Sequence, residues 1–235
     1  MLDAMTPRPT AAAIVLAAGA GRRLGADEPK AFLSIGGRPM LAVAVAAAAA
    51  SGAVDEIVVT VPEGYEDRAL GCVEGLEILC TVVRGGDSRQ ASVRAGLAAI
   101  RDGIELVAVH DAARPFAPPD LFTSVLAAIG EGDDGAIPVL PVADTVKRVD
   151  DGFVTATLPR DRLALAQTPQ AFRASALRDA HERAAASGLD VTDDAEAMEA
   201  AGCRVRAIAG DPMNVKITTM FDLAMADARM GGVGA

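Results

Sequence analysis

The residues best suited to chemistry in this chain follow apolar runs. Gly19 and Gly21 end the run AAAIVLAA and are followed by Arg23 and Lys30. Glycine lets backbone N–H groups approach a phosphate closely, and arginine and lysine can neutralise a triphosphate. Asp111 follows a second apolar run, LVAVH, where packing gives no reason for a carboxylate. Beside phosphates, a carboxylate is the expected ligand of magnesium, so the sequence predicts a site for a phosphorylated small molecule and a divalent cation.

Further polar and charged residues follow other predicted strands. Gly86 and Ser92 come after one strand, Arg114 lies just beyond Asp111, and Lys216 follows the last strand. In an open α/β sheet, ligands bind outside the carboxyl ends of the strands. We therefore expect these residues to meet the glycine turn at one edge of the sheet.

Apolar runs alternate with helical segments along the chain. Strands are predicted over residues 12–18, 56–61, 76–83, 106–109, 135–142 and 205–209. Helices are predicted over residues 40–50, 90–100, 120–129, 172–187, 193–201 and 220–230. Because the connections are short, this order predicts an α/β fold with a mostly parallel, doubly wound sheet.

One segment interrupts that alternation of strands and helices. Residues 144–157 alternate in polarity around Asp150-Asp151-Gly152, which is a hairpin signal. We expect a single domain over residues 1–235, from which this hairpin projects as an insertion at about residues 142–165.

The charge balance limits the partners. The formal net charge is −10, whereas nucleic-acid-binding domains usually carry a basic surface, so no nucleic-acid partner is expected. A small phosphorylated ligand needs only a local cluster of cations. No apolar stretch reaches about 18 uninterrupted residues, so no membrane span is expected.

The cysteines and the N-terminus bear on location. Three cysteines, Cys72, Cys80 and Cys203, show no CxxC spacing, and with only two histidines a dedicated zinc site is not expected. The apolar run after Arg8 resembles a short signal-peptide core, but it is preceded by Asp3 and continues into Gly-Arg-Arg. We expect a cytoplasmic protein.

Each of these signals has a plainer interpretation. A glycine turn after a strand is often only a turn, and GAGRRL completes neither GxGxxG nor the P-loop pattern. Arg22 is interpreted as a solvated neighbour of the site, and His110 as a packing residue at a strand end. His181 is placed in mid-helix on a solvated face, so no Ser-His-Asp arrangement is predicted. Ligand-type residues at several strand ends are harder to explain by packing.

Seven sequence blocks in order resemble one family. They are AAGAGRR followed by PKAF, then GGDSRQASVRAGL, VHDAARPF, PVADTVKR, QTPQAF, VTDDAEAMEAAG and NVKITTMFDL. Together they are similar to the 2-C-methyl-D-erythritol 4-phosphate cytidylyltransferases of the non-mevalonate isoprenoid pathway, over residues 13–230. The resemblance implies a Rossmann-like sheet, a protruding β-arm and a homodimer whose arms interlock. It also implies transfer of CMP from CTP to methylerythritol phosphate, with release of pyrophosphate.

The resemblance also implies roles for particular residues. The CTP-binding set would be Ala17, Ala18, Gly19, Gly21, Arg23, Lys30, Gly86, Ser92, Asp111 and Lys216. Within it, Arg23, Lys30 and Lys216 would be catalytic, because they stabilise charge on the phosphates, and Asp111 would bind Mg²⁺. The residues that grip the polyol phosphate would be Arg114, Thr145, Arg160, Thr168 and Thr192, with Arg160 serving the partner subunit's site.

The expected mechanism is a direct in-line displacement. The attacking phosphate oxygen is already anionic at pH 7, since the second pKa of a phosphate is about 6, so no general base is required. Two alternatives stay open on the sequence alone. One is a sister activity, such as that of a ribitol 5-phosphate cytidylyltransferase, and the other is a non-catalytic nucleotide-binding regulator.

Overall fold

A computed structural model describes residues 8–19 and 28–231 of the chain. The strands are β1 (Ala11–Leu16), β2 (Ser34–Ile35), β3 (Arg38–Pro39), β4 (Glu56–Val61), β5 (Leu79–Arg84), β6 (Leu106–Asp111), β7 (Gly135–Pro141), β8 (Val146–Asp150), β9 (Phe153–Leu158), β10 (Ala164–Ala166), β11 (Gln170–Arg173) and β12 (Val205–Ala209). The α-helices are α1 (Met40–Ala50), α2 (Glu66–Val73), α3 (Arg89–Ala99), α4 (Pro119–Ala127), α5 (Ala174–Ser187), α6 (Asp194–Ala200) and α7 (Met220–Gly231).

The central sheet has the strand order β10-β7-β11-β6-β1-β4-β5, and β12 pairs with β7. β1 is parallel to β4 and β6, β4 is parallel to β5, and β7 is parallel to β12. β11 runs antiparallel to both β6 and β7, and β10 runs antiparallel to β7. The predicted α/β fold with a mostly parallel sheet is confirmed.

Both faces of the central strands β1, β4 and β6 are buried, which explains their mostly apolar sequences. In β1, Ala11, Ala13 and Val15 face one core and Ala12 and Ile14 face the other, because successive side chains of a strand point to opposite faces. Helices α1, α2 and α4 cover the first face, and helices α3, α5 and α6 cover the second. Because β1, β4, β5 and β6 are parallel, their carboxyl ends lie together at one edge of the sheet, between the two layers of helices.

One predicted helix is wrong at its start. Residues 172–187 were predicted as helix, but Phe172 lies in β11 and α5 begins at Ala174. The strand has only four residues and lies between β6 and β7, and its buried Phe172 packs in the second core. Antiparallel pairing with β6 and β7 keeps residues 170–173 extended, although the residues that follow favour a helix.

The hairpin centred on residues 151–152 forms as predicted. β8 and β9 pair antiparallel in a sheet of their own, with Asp151 at φ 48° and Gly152 at φ 82° in the turn. Its apolar side chains Val149, Phe153 and Val154 are 57%, 74% and 64% exposed. We call this hairpin the β-arm. Among the described helices, none combines the length and the apolar character needed to cross a bilayer.

Candidate active site

A cleft of about 840 Å³ opens at the carboxyl ends of β1, β4, β5 and β6. Eight residues predicted to bind CTP line it: Ala17, Ala18, Gly19, Lys30, Gly86, Ser92, Asp111 and Lys216. The other two of that set, Gly21 and Arg23, lie outside the described residues, as does Arg22. The fold thus brings together residues that are spread over almost 200 positions of the sequence.

Two loops approach each other closely on one side of the cleft. A Cβ atom at Gly85 would lie 2.5 Å from the Cβ of Ala18 and 2.8 Å from Oγ of Ser92, so only glycine fits there. The buried Ser92 hydroxyl accepts from the Gly86 N–H at 3.1 Å and donates to the Ser88 carbonyl at 2.9 Å. Ser92 therefore shapes the loop that carries Gly86.

Asp111 ends β6 and places a carboxylate in the cleft, which Glu63 and Asp87 also line. Its Oδ2 lies 2.6 Å from Nζ of Lys216, and its Oδ1 lies 3.5 Å from Nε of Arg89. Burial acts to raise the pKa of Asp111, but Arg89 and Lys216 outweigh it and hold the pKa far below its usual range. Asp111 is an ionised carboxylate at neutral pH.

His110 fixes the backbone beneath Asp111. The Asp111 N–H donates to Oγ1 of Thr168 at 3.0 Å, and that oxygen lies 3.1 Å from Nδ1 of His110. Nε2 of His110 lies 3.1 Å from the carbonyl oxygen of Arg114, which can only accept, so Nε2 carries the proton. The Thr168 hydroxyl then donates to Nδ1. His110 is fully buried, as its predicted packing role requires.

Burial of His110 predicts a pH dependence of stability. Burial lowers its pKa from 6.5 to about 4, so the fold favours the neutral ring. The stabilisation is complete above pH 6.5 and is lost as the pH falls towards 4, a change of about 3 kcal/mol in the free energy of unfolding. Urea unfolding from pH 7 to pH 4 of the wild type and of His110→Gln isolates this contribution, because the variant cannot titrate there. Equal pH slopes in the two proteins would contradict it.

Arg114 fastens the loop that carries Lys216. Its Nη1 donates to the Asn214 carbonyl at 2.8 Å, and its Nη2 donates to the Ala166 carbonyl at 3.2 Å. Nδ2 of the fully buried Asn214 donates to the Thr168 carbonyl at 2.8 Å. Asn214 was not singled out from the sequence, although it stands in the block NVKITT directly before Val215 and Lys216.

None of the five residues expected to grip the polyol phosphate lines the cleft, and three of them lie away from it. Thr145 and Arg160 are exposed at the base of the β-arm, where Arg160 donates to the carbonyl of Ala143. Thr192 is exposed, and its hydroxyl donates to Glu196 at 2.8 Å. Of the predicted set, Arg114 and Thr168 lie beside the cleft, since both contact the residues that frame Asp111 and Lys216.

The prediction for His181 is wrong. Its side chain is fully buried rather than solvated, and its Nε2 lies 2.9 Å from Oδ1 of Asp194, which is also fully buried. The face of α5 that carries His181 packs against α6 and the sheet, and the Asp194 carboxylate is the partner of Nε2.

The side chains available as metal ligands show what kind of Mg²⁺ site the cleft could form. In residues 8–19 and 28–231, no group of three or more His, Cys, Asp or Glu side chains could hold a metal ion. Magnesium, however, is commonly bound through one or two carboxylates together with substrate phosphates. The ionised Asp111 fits an ion shared with a nucleotide, and the described residues do not form a dedicated metal cage.

Comparison with known proteins agrees with the geometry. The family model for 2-C-methyl-D-erythritol 4-phosphate cytidylyltransferase (IspD) matches residues 11–232. A relative of that name from Rhodococcus opacus (strain B4) is 50% identical over 217 residues, covering 92% of this chain and 93% of the relative. The structure of a 4-diphosphocytidyl-2C-methyl-D-erythritol synthase from Anaerococcus prevotii superposes with a TM-score of 0.84 at 32% identity, covering 94% of this chain and 98% of that one.

A second solved structure extends this agreement. The 2-C-methyl-D-erythritol 4-phosphate cytidylyltransferase from Thermus thermophilus superposes with a TM-score of 0.77 at 34% identity, covering 95% of this chain and 99% of that one. The matches span the sheet, the cleft and the β-arm together. The chain therefore belongs to the 2-C-methyl-D-erythritol 4-phosphate cytidylyltransferase family.

Proposed function

We propose that this protein transfers CMP from CTP to 2-C-methyl-D-erythritol 4-phosphate, giving 4-diphosphocytidyl-2-C-methyl-D-erythritol and pyrophosphate. The observation that carries the proposal is the convergence of Gly19, Lys30, Asp111 and Lys216 on one cleft at the carboxyl ends of the sheet. Membership of the family supplies the substrates.

The geometry supports direct displacement at the α-phosphate of CTP. The obstacle is repulsion between two phosphate-bearing anions, which positioned cations reduce in a site that excludes water. Lys30 and Lys216 supply positive charge from different elements that line the cleft. Neutral His110 and Thr168 hold the Asp111 backbone in place, and no side chain has to accept a proton from the nucleophile. Arg23 is proposed to act with Lys30.

A divalent cation, Mg²⁺, is proposed as the cofactor. Asp111 would hold it together with phosphate oxygens of CTP, where the ion would neutralise charge on the triphosphate. What supports this assignment is that both cations near Asp111 keep its pKa low, so the carboxylate is available without proton release.

We also propose that the enzyme is a homodimer joined through the β-arm. A two-stranded hairpin alone is marginally stable in water, and this one exposes Val149, Phe153 and Val154. A partner subunit would cover these side chains and receive Thr145 and Arg160 from the arm. This arrangement accounts for the distance of those two residues from the cleft of their own chain.

The dimer proposal predicts the effect of a charge on the β-arm. Phe153→Asp places a carboxylate in the proposed apolar contact, so we expect the variant to become monomeric and to lose most turnover. Light scattering after gel filtration measures the mass, and Asp151→Asn, in the turn of the same hairpin, is the control. A wild-type monomer, or a Phe153→Asp dimer with full activity, would contradict the proposal.

We further propose that the protein is cytoplasmic and has no nucleic-acid partner. We also propose that residues 1–235 form one domain from which the β-arm projects. The three cysteines are unpaired, which suits a reducing compartment. The net charge of −10 opposes binding to a polyanion.

One assay tests the activity. Purified protein is mixed with CTP and Mg²⁺ and with either 2-C-methyl-D-erythritol 4-phosphate or ribitol 5-phosphate, and pyrophosphate release is timed. We expect release with the methylerythritol phosphate. Pyrophosphate release with ribitol 5-phosphate but not with the methylerythritol phosphate would assign the sister activity. A protein that binds CTP but releases pyrophosphate with neither polyol phosphate would be a nucleotide-binding regulator.

A further inference from the structure

Arg89 lines the cleft but is not among the residues predicted for the site. It is the first residue of α3, next to the helix cap Ser88, and its guanidinium reaches two carboxylates. Nη2 donates to Oδ2 of Asp194 at 2.7 Å, and Nε lies 3.5 Å from Oδ1 of Asp111. Arg89 thus joins the cleft carboxylate to a second carboxylate, that of Asp194, which lies 105 residues from Arg89 in the sequence.

The second carboxylate is a fixed anchor. Asp194 is fully buried at the start of α6, and its other oxygen lies 2.9 Å from Nε2 of the fully buried His181. The neighbouring helix cap, Asp193, accepts from Nε2 of Gln170 in β11 at 2.8 Å. Three elements of the fold therefore hold the anchor, and the guanidinium that is bound to it has little freedom to move.

The two cations beside Asp111 differ in how firmly they are held. The Lys216 side chain is 41% exposed and its ammonium contacts Oδ2 of Asp111, whereas the Arg89 side chain is 25% exposed and is also bound to buried Asp194. Lys216 is the cation that a triphosphate would draw away from Asp111. If the Lys216 ammonium moved to a phosphate of CTP, Arg89 would be the cation that still contacts the Asp111 carboxylate.

We propose that Arg89, anchored by Asp194 and His181, is a positioning residue that fixes the orientation of the Asp111 carboxylate for a divalent cation bound with CTP. The inference rests on the proposed function. It assigns Arg89 no contact with the substrate, since it acts through Asp111. Groups that orient a metal ligand typically change metal affinity or activity by 10–100-fold when they are removed.

The test uses the full chain and three variants. Arg89→Gln removes the cation, and Asp194→Asn keeps the shape of the anchor but removes its charge. Arg89→Lys keeps a charge beside buried Asp194, so it is expected to fold even where Arg89→Gln does not, but one ammonium cannot span both carboxylates. Arg94→Gln, on the same helix, makes the same charge change away from Asp111 and is the matched control.

Two readouts separate positioning from a merely structural role. The first is the Mg²⁺ concentration that gives half-maximal pyrophosphate release, which we expect to rise about tenfold or more in all three variants and to stay unchanged in Arg94→Gln. The second is the Kd of CTP in EDTA, measured by calorimetry, which we expect to stay near the wild-type value in Arg89→Lys. Thermal melting shows which variants are folded.

The outcomes distinguish the inference from the proposed function. A wild type that neither binds CTP nor releases pyrophosphate would overturn the function itself. An active wild type whose folded Arg89 variants keep the normal Mg²⁺ requirement would overturn only the positioning role. Weaker CTP binding in EDTA by Arg89→Lys, with Asp194→Asn behaving as wild type, would also overturn it, since Arg89 would then contact the nucleotide directly.

Discussion

Replacing Lys30 with alanine is expected to lower kcat by about 10²–10³ while the protein stays folded, by analogy with the loss of one donor from an oxyanion hole. Lys30 begins a short 3-10 turn, Lys30–Phe32, at the edge of the cleft. The turn is held by the buried Ala31 and by Phe32, whose ring centroid lies 4.9 Å from that of Tyr65. The substitution removes the ammonium and leaves this packing intact.

The measurement is pyrophosphate release at saturating CTP, with circular dichroism as the check on folding. Arg38→Ala is the matched control, because Arg38 is an exposed cation on β3, close to Lys30 in sequence but outside the cleft-lining residues. The control should keep wild-type turnover. Turnover near the wild-type value in Lys30→Ala would remove Lys30 from the catalytic residues.

Strand positions in the parallel part of the sheet could be predicted closely from the sequence. β1 and β4 are buried on both faces, so β1 is an unbroken apolar run and β4 is mostly apolar, a pattern that few other structures require. Helix α2 and strand β11 are shorter or more polar, and their sequences show no apolar pattern of that kind. α2 begins with Glu66 and Asp67 and buries only two of its residues, and β11 is four residues long and runs directly into a helix.

The candidate site divides in a similar way. The position of Asp111 in the cleft could be predicted, because a charged side chain at the end of a buried strand has no packing purpose. That of Lys216 could be predicted from the block NVKITTMFDL, in which it stands. Arg89 could not, since a cation in the first turn of a helix is ordinary at the surface, and its partner Asp194 stands 105 residues away. The burial of His181 depends on that same partner, so a lone histidine in a polar helix gave no indication of it.

Asp111→Asn is expected to separate nucleotide binding from turnover. Asparagine keeps the shape of the side chain, and the backbone N–H that donates to Thr168 is unchanged, so the fold should persist. The substitution removes the negative charge that lies between Lys216 and Arg89, and both cations then attract a triphosphate more strongly. We expect the Kd of CTP in EDTA to stay the same or fall, and kcat with Mg²⁺ to fall by about 10²–10³.

Opposite signs for affinity and turnover make this prediction specific, because general damage to the site would weaken both. Calorimetry in EDTA gives the affinity, and pyrophosphate release with Mg²⁺ gives kcat. Asp102→Asn is the matched control, since Asp102 is an exposed carboxylate in the loop that enters the opposite end of β6. Weaker CTP binding in EDTA would mean that Asp111 contacts the nucleotide itself, and full turnover would mean that the carboxylate is not needed for the reaction. Unchanged or tighter CTP binding in EDTA, together with a lower kcat in Mg²⁺, means that the Asp111 carboxylate has two opposite effects. Its negative charge repels a triphosphate that carries no metal, and it contributes to catalysis only when a divalent cation is bound with the triphosphate.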